Sequence, residues 1–195
     1  MKKKIWETIL ELEKLDKQGE SYTNSQGKFG WRNPIRSDTG PILTSLVMAK
    51  SPDNILELGT GYGLSTLYLL MGNYKNASGK IATVEMDEKV AQITSDRFQK
   101  LSLPIEVYQG EISQVIERQL SIKFDLIFFD AQKDMYYKHL QELLEKDLMA
   151  KNCLIIADNV LDRSEEVKNF IEWFDHNKKD KCIIETTCGL MVATI

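Results

Sequence analysis

Ile5, Ile9 and Leu12, flanked by Trp6 and Leu10, recur at the i, i+4, i+7 spacing of a helix that buries one face. The pattern then lapses. Residues 21–38 are rich in Ser, Asn and Gly, carry Lys28, Trp31, Arg32 and Arg36, and read as a loop leading into a second helix over 39–50. From Asn54 onward short apolar runs alternate with amphipathic segments, as crossover units on a parallel sheet do. The predicted strands are 54–59, 80–86, 105–109, 124–130 and 153–158. The helices between them are 64–71, 88–101, 113–120 and 135–148, with another over 165–174 in which Asp162 or Ser164 would be the N-cap. Two β-rich runs, 182–186 and 190–195, flank a turn at Cys188 and Gly189 and predict a closing hairpin. The expected fold is therefore α/β: a doubly wound seven-stranded sheet, mostly parallel, with a C-terminal antiparallel hairpin and helices on both faces. Ligands on such sheets bind outside the carboxyl ends of the strands.

Composition narrows the class. At 195 residues, with 43% apolar and 28% charged, the chain is ordinary globular material. No repeat or linker divides it, so one domain over 1–195 is expected, a helical appendage over 1–50 joined to an α/β core over 51–195. The net charge of −4 argues against a general nucleic-acid partner. No apolar run approaches the ~20 residues that cross a bilayer. The basic start resembles a secretory leader, but Glu7, Glu11 and Glu13 interrupt the apolar stretch that should follow, which reads as cytoplasmic. Cys153, Cys182 and Cys188 have no metal-like spacing and suit reduced packing thiols.

The chemistry-bearing residues gather at predicted strand ends. The first strand runs into Gly59-Thr60-Gly61-Tyr62-Gly63, whose alternate glycines let backbone pass close to a ligand. Leu64 occupies the last position of G-x-G-x-x-G, which weakens a dinucleotide reading. Glu85 ends the second strand, where a carboxylate can accept both hydroxyls of a ribose; a solvated acid after a tight turn is the alternative. Glu57 sits inside an apolar strand and needs a partner, either N–H groups near the glycine turn or a structural tie between strands. Asp130, Asp158 and Asn159 follow two further strands. Their oxygens would suit Mg²⁺ above all, or Mn²⁺ or Ca²⁺, although an Asp in such a place also serves as a helix N-cap.

The segments SDTGPILTSLVMAKSPDNILELGTGYGLST, ATVEMD, FDLIFFDAQKDMYY, LIIADNVL and CGLMVAT together resemble the cation-dependent O-methyltransferases of the caffeoyl-CoA and catechol type. That resemblance implies a Rossmann-like sheet and S-adenosyl-L-methionine as cofactor. Its methionine end would lie over Glu57, Gly59, Thr60, Gly61 and Ser65, its ribose on Glu85 beside Met86, and its adenine near Gly110, Glu111 and Ile112, with Ile35 and Asp130 completing the contacts. It also implies a divalent cation on Asp130, Asp158 and Asn159, and Lys133 as the catalytic base, with Asp130 beside it.

Methyl transfer is an in-line displacement at a sulfonium, so an acceptor oxygen must be aligned with the S–CH₃ axis. A cation that chelates two adjacent hydroxyls aligns them and lowers their pKa. The expected activity is methylation of a small catechol-like or vicinal-diol acceptor, by a protein that is a homodimer in keeping with the family. Gln132, often Asp in the caffeoyl-CoA group, and the short stretch after Asn159 argue against caffeoyl-CoA and for an open pocket. The alternatives are a methyltransferase acting on RNA or protein, with Lys28, Trp31, Arg32 and Arg36 over the pocket; a metal-independent small-molecule enzyme; and a non-catalytic nucleoside-binding module.

Overall fold

The structure is a computed structural model that describes residues 2–17, 34–76 and 79–195, together with the backbone of 21–23 and 29–31. In chain order the elements are α1 (Lys2–Lys17), β1 (Ser21–Thr23), β2 (Phe29–Trp31), α2 (Thr39–Lys50), β3 (Asn54–Leu58), α3 (Leu64–Asn73), β4 (Lys80–Glu85) and α4 (Glu88–Lys100). They continue with β5 (Ile105–Gln109), α5 (Ile112–Arg118), β6 (Phe124–Phe129), a 3-10 turn (Lys133–Met135), α6 (Tyr136–Glu145), β7 (Met149–Asp158), α7 (Lys168–His176), β8 (Lys181–Ile184) and β9 (Leu190–Thr194).

The seven-stranded sheet has the order β5-β4-β3-β6-β7-β9-β8, parallel except for β9, which runs antiparallel to both of its neighbours. Alternation along each strand sends side chains to two faces. Leu56, Leu58, Ile127 and Phe129 pack against α5, α6 and α7, while Ile55, Leu126 and Phe128 pack against α1, α2, α3 and α4. The order reverses at β3. The chain winds outward through β4 and β5, then crosses back to β6, which leaves a crevice at the carboxyl ends of β3 and β6.

The N-terminal helix shares the second of these cores. Ile5, Ile9 and Leu12 are buried with Leu43, Val47 and Leu67, and the Tyr68 hydroxyl donates to Glu13 at 2.5 Å. The helices α2 and α3 meet closely at Gly72, where a Cβ would fall 2.6 Å from the Thr44 carbonyl oxygen.

The sequence reading needs several corrections. The loop over 21–38 contains a short antiparallel pair, Ser21 opposite Trp31 and Thr23 opposite Phe29. Strand β7 begins at Met149, because Met149 pairs with Phe124 across an irregularity ahead of Leu126. The segment after β6 first makes a 3-10 turn at Lys133–Met135, and α6 ends at Glu145. Helix α7 starts at Lys168 with Val167 at its N-cap, so neither Asp162 nor Ser164 caps it; Asp162 instead accepts from the Asn159 amide at 3.2 Å. Of the three free cysteines, Cys153 and Cys188 are buried, but Cys182 is exposed because β8 is an edge strand.

If α1 belongs to the core, Ile9→Ala should lower unfolding stability by roughly 2–5 kcal/mol in urea denaturation, the range for truncating a fully buried aliphatic side chain. A change within about 0.5 kcal/mol, typical of a surface position, would mean that α1 is only loosely attached.

Candidate active site

Strand register alone brings the predicted residues together. Leu58 pairs with Val84 on one side and Phe129 on the other, and Phe129 pairs with Ala157. The residues that follow, Gly59, Glu85, Asp130 and Asp158, therefore stand in one row along the carboxyl edge. The row is tied by backbone hydrogen bonds, Gly59 N–H to the Val84 carbonyl at 3.1 Å and Asp130 N–H to the Leu58 carbonyl at 2.9 Å. Gly59 has φ +104, and a Cβ there would lie 2.4 Å from the Asp130 carbonyl oxygen, so only glycine lets the two strand ends abut.

Glu85 is fixed by its own surroundings. Its carboxylate accepts from Gly61 N–H at 2.8 Å and from Asp87 N–H at 2.9 Å, while the Asp87 side chain caps α4 at the Val90 amide. Burial pushes the Glu85 carboxyl up, opposed by those backbone donors. The group faces a cavity of about 240 Å³ whose walls include Gly59, Gly61, Glu85, Met86, Glu111, Ile112 and Asp130. Gly61 has φ +50 and nothing within 4 Å of where a Cβ would stand, so the turn stays low on that side. Gly110, at φ +151, donates its N–H to the Glu85 carbonyl and sets the direction in which Glu111 leaves the sheet.

Behind the glycine turn Glu57 lies fully buried on the face toward α3. Its partners are hydroxyls, not backbone amides. Thr66 and Thr83 donate to Oε2 at 2.5 and 2.6 Å, and Thr83, its proton so engaged, accepts from Thr60 at 2.6 Å. The neighbouring Ser65 hydroxyl also pulls the carboxyl down. Oε1 has no partner among the described residues. Burial raises the Glu57 carboxyl to about 7 against the pull of those hydroxyls.

A second cavity of about 280 Å³ adjoins the first, and its lining includes Pro34, Arg36, Asp130, Lys133, Asp158 and Asn159. Asp130, Ala131 and Gln132 line both cavities, so this short segment is their common wall. Lys133 Nζ donates to Asp130 Oδ1 and to the Tyr136 hydroxyl, each at 2.9 Å, and the Tyr136 hydroxyl donates onward to the Phe129 carbonyl at 2.8 Å. Lys133 is thus held against the site, with its side chain only 12% exposed, and is not a solvated helix-start lysine.

Burial raises the carboxyls of both Asp130 and Asp158, and the Asp130 charge pushes Asp158 further, to about 7. Asp158 Oδ1 is buried without a hydrogen-bond partner among the described residues. Asn159, at φ +67, turns back so that its amide nitrogen donates to Asp162, which leaves its oxygen to offer an electron pair. Among the described residues no three His, Cys, Asp or Glu side chains gather as a metal cluster. Two carboxylates and an amide oxygen, one carboxylate oxygen being unsatisfied, nevertheless fit a hard divalent cation whose remaining positions go to water or ligand.

Pro34 and Arg36 bring the N-terminal segment into the wall of this second cavity. Asp38 accepts from the Thr187 amide and hydroxyl, and Arg36 and Cys188 both line the cavity. Ile35, immediately before Arg36, packs into the core and lines neither cavity. Lys28 and Arg32, and the side chain of Trp31, lie outside the described residues. A larger cavity of about 380 Å³, lined by Lys80, Leu103 and Phe124, opens at the other end of the strands. It holds no comparable convergence of carboxylates.

Comparison with known proteins agrees with this architecture. A family model described as O-methyltransferase matches residues 16–183. The chain belongs to the O-methyltransferase family. It is 32% identical over 133 residues to a catechol O-methyltransferase of Niastella koreensis, covering 65% of this chain and 58% of that protein. It is 27% identical over 132 residues to one of Mycobacterium tuberculosis, covering 67% and 58%. The chain thus spans somewhat over half the length of these curated relatives. Among solved structures, the O-methyltransferase of Bacillus cereus in complex with S-adenosylhomocysteine aligns with a TM-score of 0.78 at 24% identity, over 97% of this chain and 90% of that one. The Podospora anserina methyltransferase PaMTH1, also bound to S-adenosylhomocysteine, aligns with a TM-score of 0.73 at 21% identity, over 82% and 79%. The O-methyltransferase fold is shared throughout.

Sequence reasoning missed several residues of the site. Met135 and His139 line the first cavity, and Thr66 and Thr83 hold Glu57. Tyr137 is exposed, but His139 is buried, three residues after Tyr136 on the same helical face, a spacing that could have revealed it.

The Glu57 carboxyl generates a stability prediction. Its ordinary value is 4.5 and its folded value about 7, so between these the folded state keeps a proton that the unfolded chain has lost. Stability falls as pH rises through that window. Glu57→Gln, which keeps an oxygen for the two threonines, should gain on the wild type from pH 4.5 to 7 and hold a constant advantage above. Urea denaturation across pH measures this, and a difference independent of pH would contradict it.

Proposed function

We propose that this O-methyltransferase moves the methyl group of S-adenosylmethionine to a hydroxyl of a small catechol-like or vicinal-diol acceptor held at a divalent cation. The observation that carries the reading is the common wall of the two cavities, Asp130 to Gln132. One compartment has a glycine turn and a fixed carboxylate suited to a nucleoside, and the other has a hard-oxygen donor set and a held lysine. Displacement at a sulfonium needs the acceptor oxygen in line with the S–CH₃ bond and about 3–3.5 Å from the methyl carbon, so the two compartments must open onto each other along this shared segment.

Glu85, oriented by two backbone donors, accepts the ribose hydroxyls. The turn through Gly59 to Gly61 lets the cofactor lie against backbone, and Asp130 faces both compartments. Asp130, Asp158 and the Asn159 oxygen would hold the cation, which would chelate adjacent acceptor oxygens and lower their pKa. Lys133 Nζ, in its neutral amine form, would receive the acceptor proton, with the Tyr136 hydroxyl keeping the amine in place. Small acceptors suit an adjoining cavity of about 280 Å³. No helix among the described residues is long and apolar enough to cross a membrane. The reading includes a cytoplasmic setting, which three free cysteines suit, and a homodimer, for which exposed Trp6 and Leu10 on α1 offer an apolar face.

The test is titration calorimetry with S-adenosylmethionine and S-adenosylhomocysteine, then methyl transfer to a catechol panel with Mg²⁺, Mn²⁺ or EDTA. Micromolar cofactor binding and cation-dependent turnover are expected; full turnover in EDTA would remove the cation from the account. Asp158→Ala should abolish turnover while cofactor affinity stays within about threefold, since the acceptor side alone is damaged. Lys133→Met should lower kcat by roughly 10²–10⁴, the usual contribution of a general base. A loss of cofactor affinity equal to the loss of turnover in either variant would place that residue on the donor side.

A further inference from the structure

We propose that His139 is the polar contact for the base of the nucleoside cofactor, reading the hydrogen-bonding edge of adenine. The assignment rests on the methyltransferase reading and goes beyond it, since nothing in the strand-end motifs points to α6. His139 is 4% exposed, yet it belongs to the wall of the 240 Å³ cavity together with Met86, Ile112 and Met135. Those three side chains offer the apolar flanks that a planar base needs. The imidazole is the polar side chain that α6 contributes, one helical turn after Met135.

A merely structural histidine at this place would be expected to find a protein partner. Its Nδ1 is buried and has none among the described residues. An unsatisfied ring nitrogen costs stability that a leucine of similar size would not, so packing alone gives no reason for imidazole here. Burial, with a smaller contribution from Lys138, lowers the imidazole to about 4 and keeps it neutral in ordinary buffers. A neutral ring carries one donor and one acceptor, and it does not repel a sulfonium cofactor as an imidazolium would. Its two nitrogens point too far apart to meet one base edge together, so a single ring nitrogen makes the contact, as an acceptor for the exocyclic amine of adenine. Ribose on Glu85 would place the base in the same cavity, whose lining includes Met86, Ile112 and His139.

Deamination of the base inverts both edge groups, the amine becoming a carbonyl and the ring nitrogen gaining a proton. The experiment is therefore calorimetry of the full chain with S-adenosylhomocysteine and with S-inosylhomocysteine, for the wild type, His139→Leu and His139→Gln. The wild type should favour the adenosyl compound by about 10-fold or more, as sites built to hydrogen-bond a ligand do. In His139→Leu that preference should collapse, the adenosyl compound losing affinity while the inosyl compound stays within about twofold. His139→Gln, whose amide keeps a donor and an acceptor, should restore part of the preference and covers the case in which the leucine variant does not fold. Unchanged discrimination in both variants, or an equal loss for both compounds, would overturn the role of His139 alone. If neither compound binds the wild type, the methyltransferase reading fails and this assignment fails with it.

Discussion

The in-register ending of β3, β4, β6 and β7 is the constraint on which the rest of the molecule depends. Backbone pairing from Val84 through Leu58 and Phe129 to Ala157 leaves Glu85, Gly59, Asp130 and Asp158 no choice but to line one edge. The abutment is close enough that Gly59 could carry no side chain without striking the Asp130 carbonyl. A slip of one residue in β6 would turn Asp130 to the other face of the sheet and move Phe129 to its place. The buried aliphatic faces on both sides of the sheet hold that register, so the core and the site are specified by the same pairing.

Concentrating carboxyls at such an edge has an electrostatic cost. Glu57, Asp130 and Asp158 are all raised by burial, and Asp158 is raised again by the charge of Asp130. The protein offsets this in different ways on the two sides of the row. Glu57 is given threonine hydroxyls, a neutral solution that keeps it behind the glycine turn. Asp130 is given Lys133, which is itself held by Tyr136, while Asp158 keeps one oxygen unsatisfied. Natural cores pair nearly every buried polar atom, so the unsatisfied Asp158 oxygen accords with the proposal that the second cavity takes a ligand.

Much of this was legible in the sequence because buried parallel strands announce themselves as apolar runs ending in Gly or Asp. The sheet class, the five parallel strands and the closing antiparallel pair follow from that pattern, and Ile105–Gln109 and Thr39–Lys50 keep their predicted bounds. Helix ends were less legible. The 3-10 turn at Lys133 and the late start of α7 depend on where the chain must turn off the sheet, which periodicity does not encode. Cys182 sits in an apolar run but lies exposed on an edge strand, because strand order is a tertiary property. Ile35 likewise packs into the core and faces neither cavity. His139 and the threonines around Glu57 were hidden for the opposite reason, since they reach the site from separate elements and carry no motif.

Membership of the O-methyltransferase family and the shared fold accord with the proposed nucleoside compartment, and the wall shared by the two cavities accords with a proposed joint role. The most direct measurement is a crystal structure with S-adenosylhomocysteine, Mg²⁺ and a dihydroxybenzene. The account predicts the nucleoside against Gly61 and Glu85, and the diol beside Asp158 and Lys133, with the homocysteine sulfur turned toward it across Asp130. A nucleoside in the cavity by Lys133, or a diol bound away from Asp158, would contradict it.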